Sequence, residues 1–474
     1  MTDLKLSDYL NAMTAHELNR LEKFAQSPFH NEDTKLTKLI LLLVPAVKEG
    51  NDEEMKAEYV FKKVFGAGKF EKQKFNRLLS DATKLVENFL VLDRFNAQPT
   101  TRHTYLLEVM NERKLGKHFP EMMSFSLKKH ELQPLRDSTF YYQKYQLESQ
   151  HNIFLENRNL RTTEKNLQQA IYSLDVFYLI NKLRYCAAIL HYKNFLAIEA
   201  ETTLMQEIMQ HLKQNDYSHI PAINIYHKIL LTLIEPEEEK NYFLLKEQII
   251  AHQQLFPKAE VGNMMVFAMN YCINQINYGR TEYLNEVLSL YKHSLSTDLI
   301  FEEGLLSPWD YKNIITVALR VKDYKWAEGF IHQYKNKIPK KDRENAYTFN
   351  LAKYYFYVNK YDKVLQLLQD VKYDDVFYLL DSKTTLMKTY YELGELSPLH
   401  SLKDSFRLLL RRKRLINDQQ RENYLNFIKL TMKLSRIDVR DTKEVGQLKT
   451  EIDKTTNVAD YSWIREKIGE LIPV

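Results

Sequence analysis

From Tyr105 onward, the chain alternates between amphipathic stretches of about 12 to 20 residues and short polar or proline-bearing breaks. The breaks fall near Gly116, Pro134, residues 157–165, residues 215–221, Pro236, Pro257, Gly279, Pro308, Pro339, Asn359 and Gly394. Between them, apolar residues recur at threes and fours, the period that lays one stripe along one face of an α-helix. A single helix cannot bury its own stripe, and short breaks deliver the next helix in sequence to do so. The pattern therefore predicts stacked helical hairpins. Glycine (11) and proline (12) are too scarce in 474 residues for a sheet with many tight turns. The 31 tyrosines and 24 phenylalanines suit seams between helices, dry at one end and wet at the other.

The first 98 residues read differently. Thr14, with Glu17 three residues later, is a helix-start signature, and Leu18, Leu21 and Phe24 follow at helical spacing. Ser27-Pro28 ends that helix. Leu36, Leu39, Ile40 and Leu43 form a second apolar face, which the pattern closes at Pro45. Glu58 to Phe65 is a short amphipathic piece broken at Gly66-Ala67-Gly68, and Phe75, Leu78, Leu79, Leu85, Val86, Phe89 and Leu90 mark a stronger helix. The expected organisation is an N-terminal helical module (1–98), an array of hairpins (103–435) and C-terminal capping helices (436–474). The helix over 167–195 is unusually long and apolar nearly all round at Val176 to Ile180 and Tyr185 to Leu190, which predicts burial on several sides.

The clearest internal repetition lies in 309–412. Asp323-Tyr324-Lys325-Trp326-Ala327, Lys360-Tyr361-Asp362-Lys363-Val364 and Glu395-Leu396-Ser397-Pro398-Leu399 follow one another, with Ala327, Val364 and Leu399 separated by 37 and 35 positions. A period in the mid-thirties is what two helices and two turns require. The segment Val317 to Pro339 resembles a tetratricopeptide repeat, carried by Asp323, Tyr324, Ala327, Ile331 and Pro339. It departs from the family at Ile315, where the pattern has glycine, and the next unit has Val364 and Val376 for alanine and proline. The resemblance implies a right-handed α-solenoid of TPR-like hairpins that binds a protein or peptide. It also implies contacts from first helices, at Asn313, Arg320, Asn350 and Lys353, because such grooves clamp a peptide carboxylate with Lys, Asn and Arg. The chain as a whole is similar to bacterial helical proteins with an N-terminal helical module and a Trp-bearing last helix, a likeness that implies no activity.

Signatures of chemistry are missing from the pattern. Gly66-Ala67-Gly68-Lys69 lacks the spacing of a phosphate loop. His16-Glu17 and His130-Glu131 lack the second histidine that would clamp zinc from one helix face. Cys186 and Cys272 sit in apolar helical patterns, read as inert core thiols in a reducing, cytoplasmic setting. No G-x-S-x-G elbow occurs. The expectation is no cofactor, no metal and no catalysis. MTDLKLSDYL is not a signal peptide, and the apolar run from Leu39 to Val44 is too short to span a bilayer.

Sixty-seven basic residues against 62 acidic ones leave only +5, interleaved along the chain, so the total charge does not favour nucleic acid. Two features carry functional expectations. Arg407 with Arg411, Arg412, Lys413 and Arg414 closes a helix, where basic residues also satisfy the dipole, or else meets an acidic partner or a phosphate backbone. Residues 50–92, with Lys69, Lys72, Lys74, Arg77 and Lys84, could form a helix-turn-helix with a basic second helix. The leading expectation is a non-catalytic scaffold. The alternatives are a DNA-binding regulator that senses through the array, and an enzyme whose site is assembled from distant helices. The tyrosine clusters 141, 142, 145 and 354, 355, 357 are read as seam packing, with some exposure.

Overall fold

The computed structural model describes residues 5–51, 56–66, 68–158, 164–196, 201–368, 376–412, 416–438 and 440–471. Among them the chain is all-helical, with 23 α-helices and no strand; two 3-10 turns (Gln253–Leu255, Lys335–Lys337) and one isolated bridge, Glu302 to Leu305, complete it. No helix among the described residues is long and apolar enough to cross a membrane. The chain divides into two compact units, residues 1–184 and 185–474.

The first unit opens with α1 (Lys5–Asn11), α2 (Ala15–Gln26), α3 (Thr34–Glu49), α4 (Ala57–Phe65) and α5 (Lys72–Asn96). Thr14 and Glu17 form the capping box that the sequence signalled. The Thr14 hydroxyl accepts from the Glu17 N–H at 3.2 Å, and the Glu17 carboxylate accepts from the Thr14 N–H at 2.7 Å. Pro45, expected to end the second helix, lies inside α3, which runs on to a left-handed Gly50. The carbonyl that Pro45 leaves unpaired belongs to Leu41, a residue on the exposed side, so water can satisfy it. These helices share one core around Leu10, Leu21, Leu39, Ile40, Leu43 and Val86.

Next come α6 (Pro99–Glu112), α7 (Phe119–Glu131) and α8 (Ser138–Glu156), which pack on one another around Leu107, Phe119, Met123, Leu147 and Phe154. The Phe119 and Phe154 rings stack at 4.2 Å. The division between the units falls within α9 (Glu164–Leu196). Contrary to the expected burial on several sides, α9 exposes Ile171, Leu174, Tyr178, Tyr185 and Tyr192 along its length. Most of that face is tyrosine, whose hydroxyl makes a wet ring inexpensive.

The second unit continues with α10 (Met205–Gln214), α11 (Pro221–Ile234), α12 (Glu239–His252), α13 (Lys258–Asn277), α14 (Tyr283–Ser296), α15 (Pro308–Arg320), α16 (Tyr324–Tyr334) and α17 (Arg343–Tyr357). It ends with α18 (Tyr361–Leu368), α19 (Val376–Glu392), α20 (Leu396–Arg412), α21 (Asp418–Leu434), α22 (Thr442–Lys454) and α23 (Tyr461–Glu470). Helices pack as consecutive pairs, α11 on α12, α13 on α14, α15 on α16, α17 on α18 and α19 on α20. First helices also pack on first helices, α15 on α17, α17 on α19 and α19 on α21.

Four of these pairs turn in the same way. Gly279, Lys322, Asn359 and Gly394 each take a left-handed φ, between 58° and 92°. The next N–H then reaches back five residues, from Arg280 to Gln275, Asp323 to Ala318, Lys360 to Tyr355 and Glu395 to Tyr390, at 2.9 to 3.0 Å. This is the hydrogen bond that satisfies stranded carbonyls at a helix C-terminus. Ala327, Val364 and Leu399 are fully buried after their respective turns. The Tyr311 hydroxyl, also buried, donates across the first pair to the Ile331 carbonyl at 2.7 Å.

Polar ties also reach over an intervening pair. Lys312 on α15 pairs with Asp381 on α19. The Tyr378 hydroxyl donates to the Pro308 carbonyl at 2.9 Å. Glu392 on α19 accepts from Trp463 Nε1 at 2.9 Å and pairs with Lys467, both on α23.

Candidate functional site

The first helices deliver equivalent positions to one place. Thr316 on α15, Lys353 on α17, Lys388 on α19 and Tyr424 on α21 are separated by 37, 35 and 36 positions, and all line a single cavity of about 950 Å³ within the second unit. Arg320 and Tyr357, one turn further on, line it too. The remaining wall comes from the end of α13 and from Ala459, Asp460, Tyr461, Ser462 and Arg465, where α23 begins. The lead-in to α23 is pinned to α21. The Ala459 N–H donates to the Asn423 carbonyl at 3.0 Å, and the Asn426 amide reaches the Asn457 carbonyl at 3.2 Å.

Two carboxylates enter the cavity, and each has its own cation. Asp381 takes the Lys312 ammonium and also accepts from the Tyr424 hydroxyl at 3.2 Å. Asp460 takes the Lys388 ammonium, which lies 4.4 Å over the Phe356 ring. Burial works against both charges of this second pair. Their attraction outweighs it, holding Lys388 above and Asp460 below their ordinary values. Asp460 is itself in a left-handed conformation, φ 50°, and its side chain does not cap α23.

Three cations remain without a close carboxylate. Lys353 is half-buried and, among the described residues, bonds only the Thr316 hydroxyl, at 2.8 Å. Burial drives its ammonium down to about 8, and Lys312 and Lys388 add to the shift against the pull of Asp381 and Asp460. Arg320 is exposed at the end of α15 and, among the described residues, has no carboxylate within salt-bridge distance. Arg465 touches Asp453 only at 4.0 Å, the outer limit of a salt bridge.

Of the four residues assigned to partner contact, Arg320 and Lys353 thus share the cavity. Asn313 is exposed on α15 but does not line it. Asn350 is buried, and its amide donates to the Ala346 carbonyl at 2.8 Å. The sequence reading did not single out Lys388, Asp381, Asp460 or Arg465. Lys388 carried a usable signal, because it stands one repeat length after Lys353.

The basic cluster divides. Arg407 lines a second groove, of about 520 Å³, with Lys403, Lys429, Lys433 and Arg436. Arg411 is exposed and Arg412 closes α20, while Lys413 and Arg414 lie outside the described residues. In that groove Glu451 takes both Lys429 and Lys433, so part of the charge is already compensated. In the N-terminal module, Lys69, Lys72, Lys74, Arg77 and Lys84 are all exposed, and α5 is followed two residues later by another helix. Of the tyrosine clusters, Tyr142 is exposed against Phe177 at 5.0 Å, and Tyr357 faces the cavity.

Cys186 and Cys272 are buried thiols, and burial pushes that of Cys272 up to about 12. Among the described residues no group of His, Cys, Asp and Glu is arranged to hold a metal ion. The cavity's excess of lysine and arginine over aspartate can attract and orient negative charge. Neither known family models, nor curated proteins, nor solved structures match this chain.

Proposed function

We propose that the chain is a non-catalytic interaction module, a right-handed α-solenoid of TPR-like hairpins that binds a partner protein through a segment seated in the cavity around Lys353. The observation that carries this reading is the convergence of equivalent first-helix positions, Thr316, Lys353, Lys388 and Tyr424, on one polar cavity with surplus positive charge. The common turn at Gly279, Lys322, Asn359 and Gly394 supports the hairpin array. Curved stacks of hairpins use their inner helices as extended binding surfaces.

The test is capture of partners by tagged protein from native lysate, with nuclease added. The wild type is compared with Arg320→Glu/Arg465→Glu and, as a control, Lys72→Glu/Arg77→Glu on α5. The reading expects a stoichiometric protein that survives nuclease, is lost with the cavity variant and is kept by the α5 variant. A partner retained by the cavity variant removes the cavity from the reading. A partner released by nuclease turns it toward the N-terminal module.

A further inference from the structure

The cavity's charges do more than make it basic. Its two carboxylates each hold a close lysine, Asp381 with Lys312 and Asp460 with Lys388, and act on Lys353 and Arg320 only from further off. Lys353, Arg320 and Arg465 are thus in excess of the cavity's own acids, with Lys353 half-buried, the two arginines exposed and only Asp453, at 4.0 Å from Arg465, offering outside compensation. Their mutual repulsion is relieved by a bound anion. A single carboxylate would cancel one of the three.

The start of α23 adds to the demand. Asp460 turns its carboxylate to Lys388 rather than back onto its own helix, so no side chain caps α23. Tyr461 and Ser462, the first two residues of that helix, line the cavity. Their N–H groups are those a helix cannot pair internally, and they lie at its positive end. The Ser462 hydroxyl stands in the same wall, while those of Thr384 and Thr385 donate to the Leu380 and Asp381 carbonyls of their own helix. A ligand with several oxygens and more than one negative charge can engage cations, amides and a hydroxyl together.

We propose that this cavity binds a phosphoryl dianion, held by Arg320, Lys353 and Arg465 against the uncapped N-terminus of α23. The inference deepens the interaction reading above, since it names the chemical group that the partner segment presents. The same group could arrive on a phosphorylated side chain or on a free phosphate monoester.

Proton uptake follows from the geometry. Lys353 is faced by Lys312 and Arg320 on α15, Lys388 and Asp381 on α19, Tyr424 on α21, Tyr357 on its own helix and Asp460 before α23. With the acids already paired, a dianion beside Lys353 favours its ammonium, so binding near pH 8 draws a proton from solution. Affinity then declines as pH rises beyond that point.

The experiment is titration calorimetry of the full chain with phenyl phosphate, whose second ionisation near pH 6 leaves it a dianion at about pH 8. It is run in two buffers of different ionisation heat, with acetate as the monoanion. Saturable binding, proton uptake that disappears in Lys353→Met, and an affinity loss of about tenfold or more in Arg320→Gln/Arg465→Gln are expected. Unchanged thermal midpoints keep folding out of the comparison. No binding, equal binding of acetate, or unchanged affinity in the arginine variant overturns the proposal.

Phosphatase treatment of the lysate before partner capture separates the two sources. A partner lost on treatment carries the phosphoryl group itself. A partner retained by the wild type after treatment, alongside phenyl phosphate binding, assigns the cavity to a free monoester. Partner loss in the Arg320→Glu/Arg465→Glu variant without any phenyl phosphate binding sinks the phosphoryl inference and leaves the interaction reading standing.

Discussion

The Lys388 ammonium and the Asp460 carboxylate, 72 positions apart in sequence, close an ion pair that ties α19 to the start of the last helix. The lysine side chain is only 5% exposed and the aspartate 30%. Removing the lysine alone strands a carboxylate in a site with little water. Lys388→Met is expected to cost about 3 kcal/mol, because breaking such a pair leaves an uncompensated charge. Lys388→Met with Asp460→Leu should recover part of that loss. Urea unfolding checks both variants; a single variant as stable as the wild type would show that the pair contributes nothing.

His130 gives the first unit a defined acid sensitivity. Its ring is fully buried, stacks on Phe140 at 4.1 Å and has Gln133 beside Nδ1 at 3.2 Å, while Nε2 has no partner. Burial lowers its protonation to about 4, against 6.5 for an ordinary histidine. Between those values the unfolded chain binds a proton that the folded chain refuses, so stability falls as pH drops through the window and levels off below it. The loss is at most about 3 kcal/mol. His130→Phe should flatten this part of the pH profile of the urea midpoint. An unchanged profile would assign the acid sensitivity elsewhere.

Lys353 should stand apart from the other lysines in chemical titration. Competitive acetylation across pH, read by mass spectrometry, is expected to give it a midpoint near 8. Ordinary lysines titrate near 10.4. Lys388 should titrate in the opposite direction, above the ordinary range, because Asp460 outweighs its burial. Overlapping curves for Lys353 and the exposed lysines would refute the electrostatic account of the cavity.

The turn residues predict a stabilising substitution. Lys322 adopts φ 66° in a position that Gly279 and Gly394 fill elsewhere. A side chain there costs roughly 1 to 2 kcal/mol, partly offset because glycine loses more freedom on folding. Lys322→Gly should therefore raise stability by about 0.5 kcal/mol, and Asn359→Gly by less, since asparagine tolerates this conformation better. Thermal midpoints decide it; a lower midpoint for Lys322→Gly would mean the lysine side chain makes a contact worth more than the strain.

What the sequence reveals depends on how local the cause is. The Thr14–Glu17 capping box was legible because both partners sit within one turn. Pro45 misled because a proline removes one hydrogen bond and ends a helix only where the stranded carbonyl cannot reach water. Arg320 and Lys353 could be placed on first helices by periodicity, and the cavity brings them together. Asn350 had the same credentials, yet its position on α17 faces the packed interior rather than the cavity. Asp460 and Arg465 were beyond reach, because their part in the cavity depends on the last helix returning to α19 and α21, which no local period encodes.

The ties that skip a helical pair bear on how this unit comes apart. A row of repeats in which each touches only its neighbours can lose an end while its middle persists, since each interface melts on its own account. Here Lys312 holds Asp381, Tyr378 holds Pro308, and Glu392 holds Trp463 and Lys467, each bond reaching across the pair between. Peeling off the last helix breaks bonds to α19 at once, and loosening α19 releases α15. The last helix and the wall of the cavity are therefore expected to unfold together, and a lesion at Trp463 to reach a cavity that its side chain does not line.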